Sequence, residues 1–413
     1  MKRLVQFILK LLARAYIRRF RPKIIAITGS VGKTSTKEAI RLALEKSFRV
    51  RASAKSYNNE IGVPLTILGY KSPAKNIFVW LWIFCRSFLG LFWQRNYPEI
   101  LVLEMGSDKP GDLKYLVSIA KPHISVITRI GPAHYAAFED MEKLIEEKGT
   151  LVKVLNSEDW AVLNYDDEVL RELGLRAPCR VRYYGINNEA DVKAGDLKME
   201  DSGLAFKIDF EGRTYSLKLE AAGKHFVYIV LAAFAVGTIL NIEPSLLAQR
   251  LSQFQPLPGR GRILKGKKQT LLIDETYNAN PLSMQAALNF VKRMNWPKRK
   301  VLVLGDMREL GSLSRKEHQK LGKTTDFADL VIFVGEEIKP AFEIRARKGL
   351  PCFYYEGVSD LISDLEKIIR PGDLVLFKGS QAVRLEKAVA TLLAPEYNPK
   401  EVLVRQGSEW NKK

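Results

Sequence analysis

The residues best suited to chemistry lie near the start of the chain. Gly29-Ser30-Val31-Gly32-Lys33-Thr34 follows a short apolar run, residues 24–28, and leads into a segment of helical composition, residues 35–44. In that setting, backbone N–H groups and a helix N-terminus form an anion nest. The lysine neutralises phosphate, and the threonine hydroxyl can ligate a divalent cation. The longer phosphate-loop pattern has glycine where this chain has Ile27, so the motif is the shorter G-x-x-G-K-T form. The plain alternative is a tight turn that caps a helix. Glu104 closes a second apolar run, residues 100–104. A carboxylate at a strand's C-terminal end beside a phosphate loop is a natural second magnesium ligand, although such carboxylates often only cap loops.

Positioning these groups requires strands whose ends meet. Apolar runs at 24–28, 100–104, 124–128 and 161–164 alternate with helical stretches such as 141–155. That rhythm predicts a mostly parallel sheet with helices on both faces. Residues 180–220 change character, because RVRYYG, DVKAG, LAFKIDF and TYSLKLE are short runs broken by Gly and Asp. They read as a small antiparallel patch, followed by a long small-residue helix over 223–240.

PLPGRGR, residues 256–262, marks a domain boundary, and beyond it the α/β rhythm restarts. The expected fold class is α/β: a P-loop central domain, then a Rossmann-like C-terminal α/β domain. The expected divisions are a basic amphipathic helix over 1–22, a central domain over 23–258, a C-terminal domain over 259–395 and a polar tail over 396–413.

The 413 residues carry 65 Lys and Arg against 46 Asp and Glu, a formal charge of +19. Apolar residues make up 46% and charged residues 27%, which excludes a disordered chain, a collagen repeat and a disulfide scaffold. The length allows two or three domains. Cys85, Cys179 and Cys352 are scattered without metal-ligand spacing, as expected of reduced thiols in the cytoplasm. The basic excess fits nucleic acid, an anionic membrane or polyanionic small molecules, and equally a plain solvated surface.

Two segments bear on membranes. In residues 1–22, Leu4, Val5, Ile8, Leu11, Leu12 and Tyr16 have helical spacing with Lys and Arg between them. That pattern suits a helix lying on an anionic bilayer, or one packed on the domain that follows. Lys10 and Arg14 interrupt the apolar run, so it is not a signal peptide. Residues 78–93, FVWLWIFCRSFLGLFW, are too short to span a bilayer and carry Arg86. Their basic flanks favour contact with a membrane face over a buried interface.

Further motifs narrow the chemistry. ITGSVGKTSTKEAI (27–40), YNNEIGVPLTIL (57–68), LEMGSDKPGDL (103–113), ITRIGPAHYAAF (127–138), EKGTL (147–151), AVLNYDD (161–167), DETYNANPLSM (274–284), VLGDMRELG (303–311) and FKGSQAVRLE (377–386) stand in this order. Together they resemble the Mur ligase family, and within it the type that adds D-alanyl-D-alanine to a UDP-muramoyl-peptide. The resemblance implies ATP-dependent amide formation in peptidoglycan precursor synthesis. ATP phosphorylates a carboxylate to an acyl phosphate, and an amine then attacks it. It implies ATP and Mg²⁺ as cofactors, with Gly29, Ser30, Gly32, Lys33, Thr34 and Ser35 on the phosphates and Thr34 and Glu104 on the metal. By the same resemblance His134 holds a second metal, and Lys148 is the position that often carries a carbamate and so becomes a metal ligand. Arg260 or Arg262 reaches the nucleotide phosphate, and Glu275, Asn278 and Asn280 face the nucleotide. Asn58 and Asn59 match the carboxylate-substrate loop; Lys378, Ser380 and Arg384 match the amine side.

Two departures stand out. The phosphate-loop strand begins at Ile24, where the family usually has a separate UDP-binding domain ahead of it, and Asp274-Glu275 stands where Asp-Asp is usual. The alternative reading is therefore an amide ligase for another carboxylate at the membrane face, with a lipid-linked one among the candidates. A second alternative is a non-ligase basic P-loop module, which would have no use for His134, Lys148 or YNANP. No nucleic-acid partner is expected.

Overall fold

The structure is a computed structural model. It describes every residue except 1, 54–56, 74–75, 132–137, 139, 188, 201–202, 408–409 and 411–413. It divides into two compact units. The first takes in residues 1–196, 206–217 and 227–254, and the second 197–205, 218–226 and 255–413.

A nine-stranded sheet organises the first unit. Its strands are β1 Lys23–Thr28, β2 Val50–Ala52, β3 Ile100–Glu104, β4 Ile124–Ile127, β5 Trp160–Asn164, β6 Arg180–Gly185, β7 Val192–Glu200, β8 Gly203–Phe210 and β9 Arg213–Leu219. They lie in the order β2-β3-β1-β4-β5-β6-β7-β8-β9, with the outer ends of β7, β8 and β9 grouped in the second unit. Every pairing from β2 through β7 is parallel. Strands such as IIAIT and ILVLE are apolar throughout because helices cover both faces of the sheet.

One expectation is corrected. RVRYYG was assigned to the antiparallel patch, but β6 runs parallel to β5, with Trp160 opposite Arg180 and Asn164 opposite Tyr184. The helix Glu168–Leu175, capped by Asp167, returns the chain so that β6 continues the parallel sheet. The patch proper follows β7. It includes a two-residue hairpin at Glu211-Gly212, where both φ angles are positive, as a turn matched to strand twist requires.

Helices α1 Lys2–Phe20, α2 Lys33–Leu44, α3 Gly62–Leu68, α4 Ile77–Trp93, α5 Asp112–Ile119 and α6 Met141–Lys153 pack on this sheet or on one another. The inner stripe of α1 (Leu9, Ala13, Tyr16) is buried with Ile24, Leu65, Leu101 and Ile83. The N-terminal helix is therefore packed on the domain along one face, and its other face is exposed.

The second unit holds a six-stranded sheet. Its strands are β10 Arg262–Lys265, β11 Leu271–Glu275, β12 Lys300–Gly305, β13 Leu330–Val334, β14 Cys352–Tyr355 and β15 Leu374–Lys378. Their order is β10-β11-β15-β12-β13-β14, and the only antiparallel pairing described is the one that adds β10 to the edge. Apolar clusters fill both faces, one around Leu302, Phe333 and Met284, the other around Val303, Phe377 and Val389.

Candidate active site

In the first unit the candidate residues gather at the carboxyl ends of three adjacent strands. β1 pairs with β3 on one side, Ile27 opposite Glu104, and with β4 on the other, Thr28 opposite Ile127. The chain lays β2 and β3 to one side of β1 and β4 and β5 to the other. The strand order thus reverses at β1, where open α/β sheets leave a crevice for ligands.

The loop after β1 is held by the segment that follows β4. Ser30 N–H donates to the Arg129 carbonyl at 2.7 Å, and the Ser30 hydroxyl to the Gly131 carbonyl at 2.8 Å. Thr128 Oγ1 donates to the Val31 carbonyl at 2.6 Å. Gly29 has φ +141°, and a Cβ there would stand 2.1 Å from Thr128 Oγ1, so only glycine fits. Gly32, at φ +84°, is the N-cap of α2, and its side-chain-free turn leaves the first N–H groups of the helix uncapped by any side chain. Lys33 Nζ folds back on the Gly29 carbonyl at 2.7 Å. Thr34 and Ser35 are buried in the first turn of α2.

Beside the loop, Glu104 is almost fully buried. One carboxylate oxygen accepts from Asn58 Nδ2 at 3.1 Å, and the other finds no partner among the described residues. A buried anionic oxygen without a donor costs several kcal/mol unless a cation or water meets it. The residues therefore fit a hard cation. Asn58 also packs against Gly106, whose N–H donates to the Asn58 carbonyl at 2.8 Å. Asn59 instead folds its loop, accepting from Gly62 N–H at 2.9 Å.

Lys148 is 2% exposed on α6, and Nζ donates to Ser107 Oγ at 3.1 Å. Burial and the neighbouring Lys33 ammonium push its pKa down to about 8, against the pull of Glu147 and Asp108. Glu147 itself is engaged with the start of α5, accepting from Gly111 and Leu113 N–H groups at 2.8 and 2.7 Å. Lys33 and Lys148 thus share one locality, together with Ser107. Ser107 lies within LEMGSD, and in the sequence only its place beside an acidic strand end hints at a role. His134 lies outside the described residues. Among the described residues no group of three or more His, Cys, Asp or Glu side chains gathers as a metal site.

The second unit brings its own motifs to one sheet edge. Glu275 ends β11 opposite Lys378, which ends β15, and Gly305 ends β12. Lys378 Nζ bonds Glu275 at 2.9 Å and the Asn278 carbonyl at 3.2 Å. Asp274 is fully buried and acts on backbone, accepting from Gly259 N–H at 2.9 Å and Thr276 Oγ1 at 2.6 Å. Asn278 accepts from Ala279 N–H, and Asn280 caps the helix Pro281–Arg293 in a reciprocal box with Ser283. Both asparagines therefore use their carbonyl oxygens locally. Ser380 Oγ accepts from Arg308 N–H at 2.8 Å, tying VLGDMRELG to FKGSQ. Arg384 is held by Glu386 at 2.6 Å, and Glu386 in turn by Arg405, whose guanidinium donates to the Thr276 carbonyl at 2.6 Å. Arg405 comes from the stretch read as a polar tail, and composition gave no signal of this strap.

The two arginines of PLPGRGR differ in their contacts. Arg262 Nε donates to the Pro256 carbonyl at 2.8 Å, and Nη1 lies within 3.5 Å of the Glu401 and Val402 carbonyls. The Arg260 guanidinium lies 3.8 Å over the Tyr277 ring, a stacked cation that keeps its N–H edge for another acceptor. Arg260→Ala is expected to lower turnover by about ten- to hundred-fold at unchanged stability. Arg262→Ala is expected to cost about 1–3 kcal/mol of stability, because it leaves carbonyls without a donor. Thermal melts set beside steady-state rates separate the two roles.

Comparisons with known proteins place the chain in a family. Residues 27–80 and 88–237 match the Mur ligase middle domain, and residues 259–381 match the family described as Mur ligase, glutamate ligase domain. UDP-N-acetylmuramoyl-tripeptide–D-alanyl-D-alanine ligase of Bacillus subtilis is 30% identical over 394 residues, which cover 93% of this chain and 79% of that one. The chain belongs to the Mur ligase family. The ligase of the same name from Escherichia coli is 27% identical over 389 residues, 92% of this chain and 78% of its own. Among solved structures, MurF of Thermotoga maritima in complex with ADP superposes with a TM-score of 0.77 at 26% identity, over 94% of this chain and 83% of that one. MurF of Acinetobacter baumannii gives 0.78 at 26%, over 93% and 80%. This Mur ligase is thus an ATP-dependent peptide ligase by family, and its phosphate loop is where ATP chemistry is expected. In the described residues ahead of β1 it has one helix, α1.

Proposed function

We propose that this Mur ligase joins D-alanyl-D-alanine to the terminal carboxylate of a UDP-N-acetylmuramoyl-tripeptide at the expense of ATP. The observation that carries the reading is the constellation of a phosphate loop clamped by the segment after β4, a buried carboxylate with an orphaned oxygen and a buried lysine. It occurs in a chain spanning 79% of a relative with that name. We assign residues 23–258 to the central domain and 259–395 to the C-terminal domain.

The chemistry brings a substrate carboxylate against a triphosphate, and the two repel. Lys33 and the N–H groups at the start of α2 hold the phosphates, and Thr34 with Glu104 would hold Mg²⁺. When bound, that ion neutralises phosphate charge and polarises the transferred group. His134 and a carbamylated Lys148 are its proposed partners at a second metal. A neutral Lys148 amine would add to CO₂ and release a proton to give an anionic carbamate, and a pKa of about 8 leaves part of that amine neutral near pH 7. Arg260 is assigned to nucleotide phosphate, and Glu275, Asn278 and Asn280 to the nucleoside side. The substrate carboxylate oxygen takes the γ-phosphoryl group and ADP leaves; the dipeptide amine then attacks the activated carbonyl, loses a proton and displaces inorganic phosphate.

The test is phosphate release by purified protein with ATP and Mg²⁺, with the two substrates added singly and together. Release that requires both, with the pentapeptide product seen by mass, supports the reading. Binding of ATP without stimulation by either substrate would overturn the substrate assignment. A second reading, a lipid-linked carboxylate, is favoured by one feature: the helix ahead of β1 presents Leu4, Phe7 and Leu11 to the outside. Lipid-linked muramoyl-peptide in the same assay distinguishes the two. Peripheral contact with an anionic membrane is likewise a proposal, on the cytoplasmic side where the nucleotide substrates reside.

A further inference from the structure

Two helices leave an apolar surface uncovered. On α1 the outward stripe runs Leu4, Phe7, Leu11, Arg14, Arg18, apolar at the N-terminal end and basic at the other. On α4 only Ile83, Ser87 and Gly90 are buried. The remainder of that 17-residue helix is apolar on nearly every side, with Arg86 its one charge, and much of it faces outward. Phe7 is 59% exposed, Phe78 80% and Trp93 71%. The helices are joined to each other, since Tyr16 of α1 donates to the Ser87 carbonyl of α4 at 2.9 Å and packs on Gly90. Their outer residues therefore form one surface held on the first unit. A helix that is apolar all round is normally enclosed, and contiguous patches of this kind mark interaction sites.

We propose that this α1–α4 face docks on an anionic lipid bilayer, with both helices lying in the plane of the interface. The charge of the surroundings selects the partner. Residues 1–37 and 61–98, which include both helices, contain no Asp or Glu. Exposed Arg14, Arg18, Arg19, Arg21 and Arg95 border the apolar residues. An open hollow at the end of α1, lined by Ala15, Arg18, Arg19 and Arg21, has the chemistry to take a lipid phosphate. Among the described residues one carboxylate bonds to α1, Glu60, which accepts from Gln6. A second copy of the chain is disfavoured, because a two-fold contact through this face would set arginines against arginines. Spanning is disfavoured as well. No described helix is long and apolar enough to cross a membrane, and α4 is only about 25 Å long at 1.5 Å per residue. Its inner stripe is also anchored through Tyr16. Basic residues beside Trp and Phe, with no acid among them, are the pattern of helices seated at a lipid interface.

The inference goes beyond the ligase reading and does not depend on it. Its test uses the full chain without substrates, and ligase activity is measured without lipid. Vesicles of mixed phosphatidylglycerol and phosphatidylcholine are sedimented with the protein, and tryptophan emission is recorded, against phosphatidylcholine alone. The expected result is co-sedimentation with the anionic vesicles, weakening as salt rises, and a blue shift of emission. The variant F7S/F78S/W93S is expected to reduce the bound fraction at least about ten-fold with unchanged circular dichroism. R14Q/R18Q, which alters only exposed charge, is expected to weaken binding and flatten its salt dependence. No sedimentation of the unaltered chain with anionic vesicles would overturn the proposal. So would a dimer that F7S/F78S/W93S dissolves while vesicles leave the emission unmoved, since the face would then belong to a second copy. Binding that is equal for both vesicle types would overturn the role of charge.

Discussion

Lys33→Ala is expected to lower ATP-dependent phosphate release by about a thousand-fold or more, with the fold intact. The loop is shaped by groups other than this side chain. Thr128, the Arg129 and Gly131 carbonyls and the left-handed turn at Gly32 hold it. The ammonium rests on the Gly29 carbonyl at 2.7 Å, within the loop that would cradle phosphate. With alanine there, the triphosphate and the incoming carboxylate face each other with one cation fewer. The substitution has a second consequence. The Lys33 charge is one of the causes that depress Lys148, so its loss lets Lys148 keep its proton to higher pH and reduces the neutral amine. Lys33→Arg preserves the charge but carries a planar fork in place of a point charge, and is expected to recover less than a tenth of the activity. Rates at saturating ATP, set beside melting curves, check both. A fall of less than ten-fold for Lys33→Ala would mean that phosphate is held elsewhere.

The phosphate loop was legible because its chemistry is local. Glycine, lysine and threonine at fixed spacing between an apolar run and a helix leave few other uses, and the structure sets them between β1 and α2. The order of the strands was legible only as a class. β6 was misplaced because RVRYYG alternates like a half-exposed strand, and what makes it parallel is the crossover helix before it. β10 and β14 carry no clear signal, because a four-residue edge strand hardly differs in composition from a loop. Hidden most thoroughly were contacts between distant residues. Ser107 under Lys148, Tyr277 under Arg260 and the Glu386–Arg405 strap are set by sheet order, not by any spacing in the chain. The same limit applies to Arg260 and Arg262. The sequence offered both, and only the carbonyls gathered around Arg262 tell them apart.

Lys148→Met is expected to abolish turnover and yet stabilise the protein at neutral pH. A lysine in water titrates at 10.5, and burial beside Lys33 brings this one to about 8. Between those values the unfolded chain binds the proton and the folded chain does not, so stability rises with pH through that window. Below pH 8 the fold carries the whole cost of a buried ammonium, on the order of 3 kcal/mol from the size of the displacement. Methionine fills similar volume without charge and gives up one hydrogen bond to Ser107, worth about 1 kcal/mol. A net gain of about 1–2 kcal/mol is therefore expected at pH 7 in carbonate-free buffer, where the native lysine is an unmodified amine, shrinking toward pH 10 as that lysine loses its proton. A purely structural lysine would give the opposite result, because its removal would break a favourable contact at every pH below its own titration. In the proposed role, the burial that costs stability is also what leaves part of the amine neutral and able to react with CO₂. The companion measurements are rates in carbonate-free and bicarbonate buffers and the intact mass, which should show one added CO₂ on the native chain and none on Lys148→Met. An active Lys148→Met protein, or one that melts lower than the native chain at pH 7, would remove Lys148 from the machinery and leave Glu104 as the anchor of the metal site among the described residues.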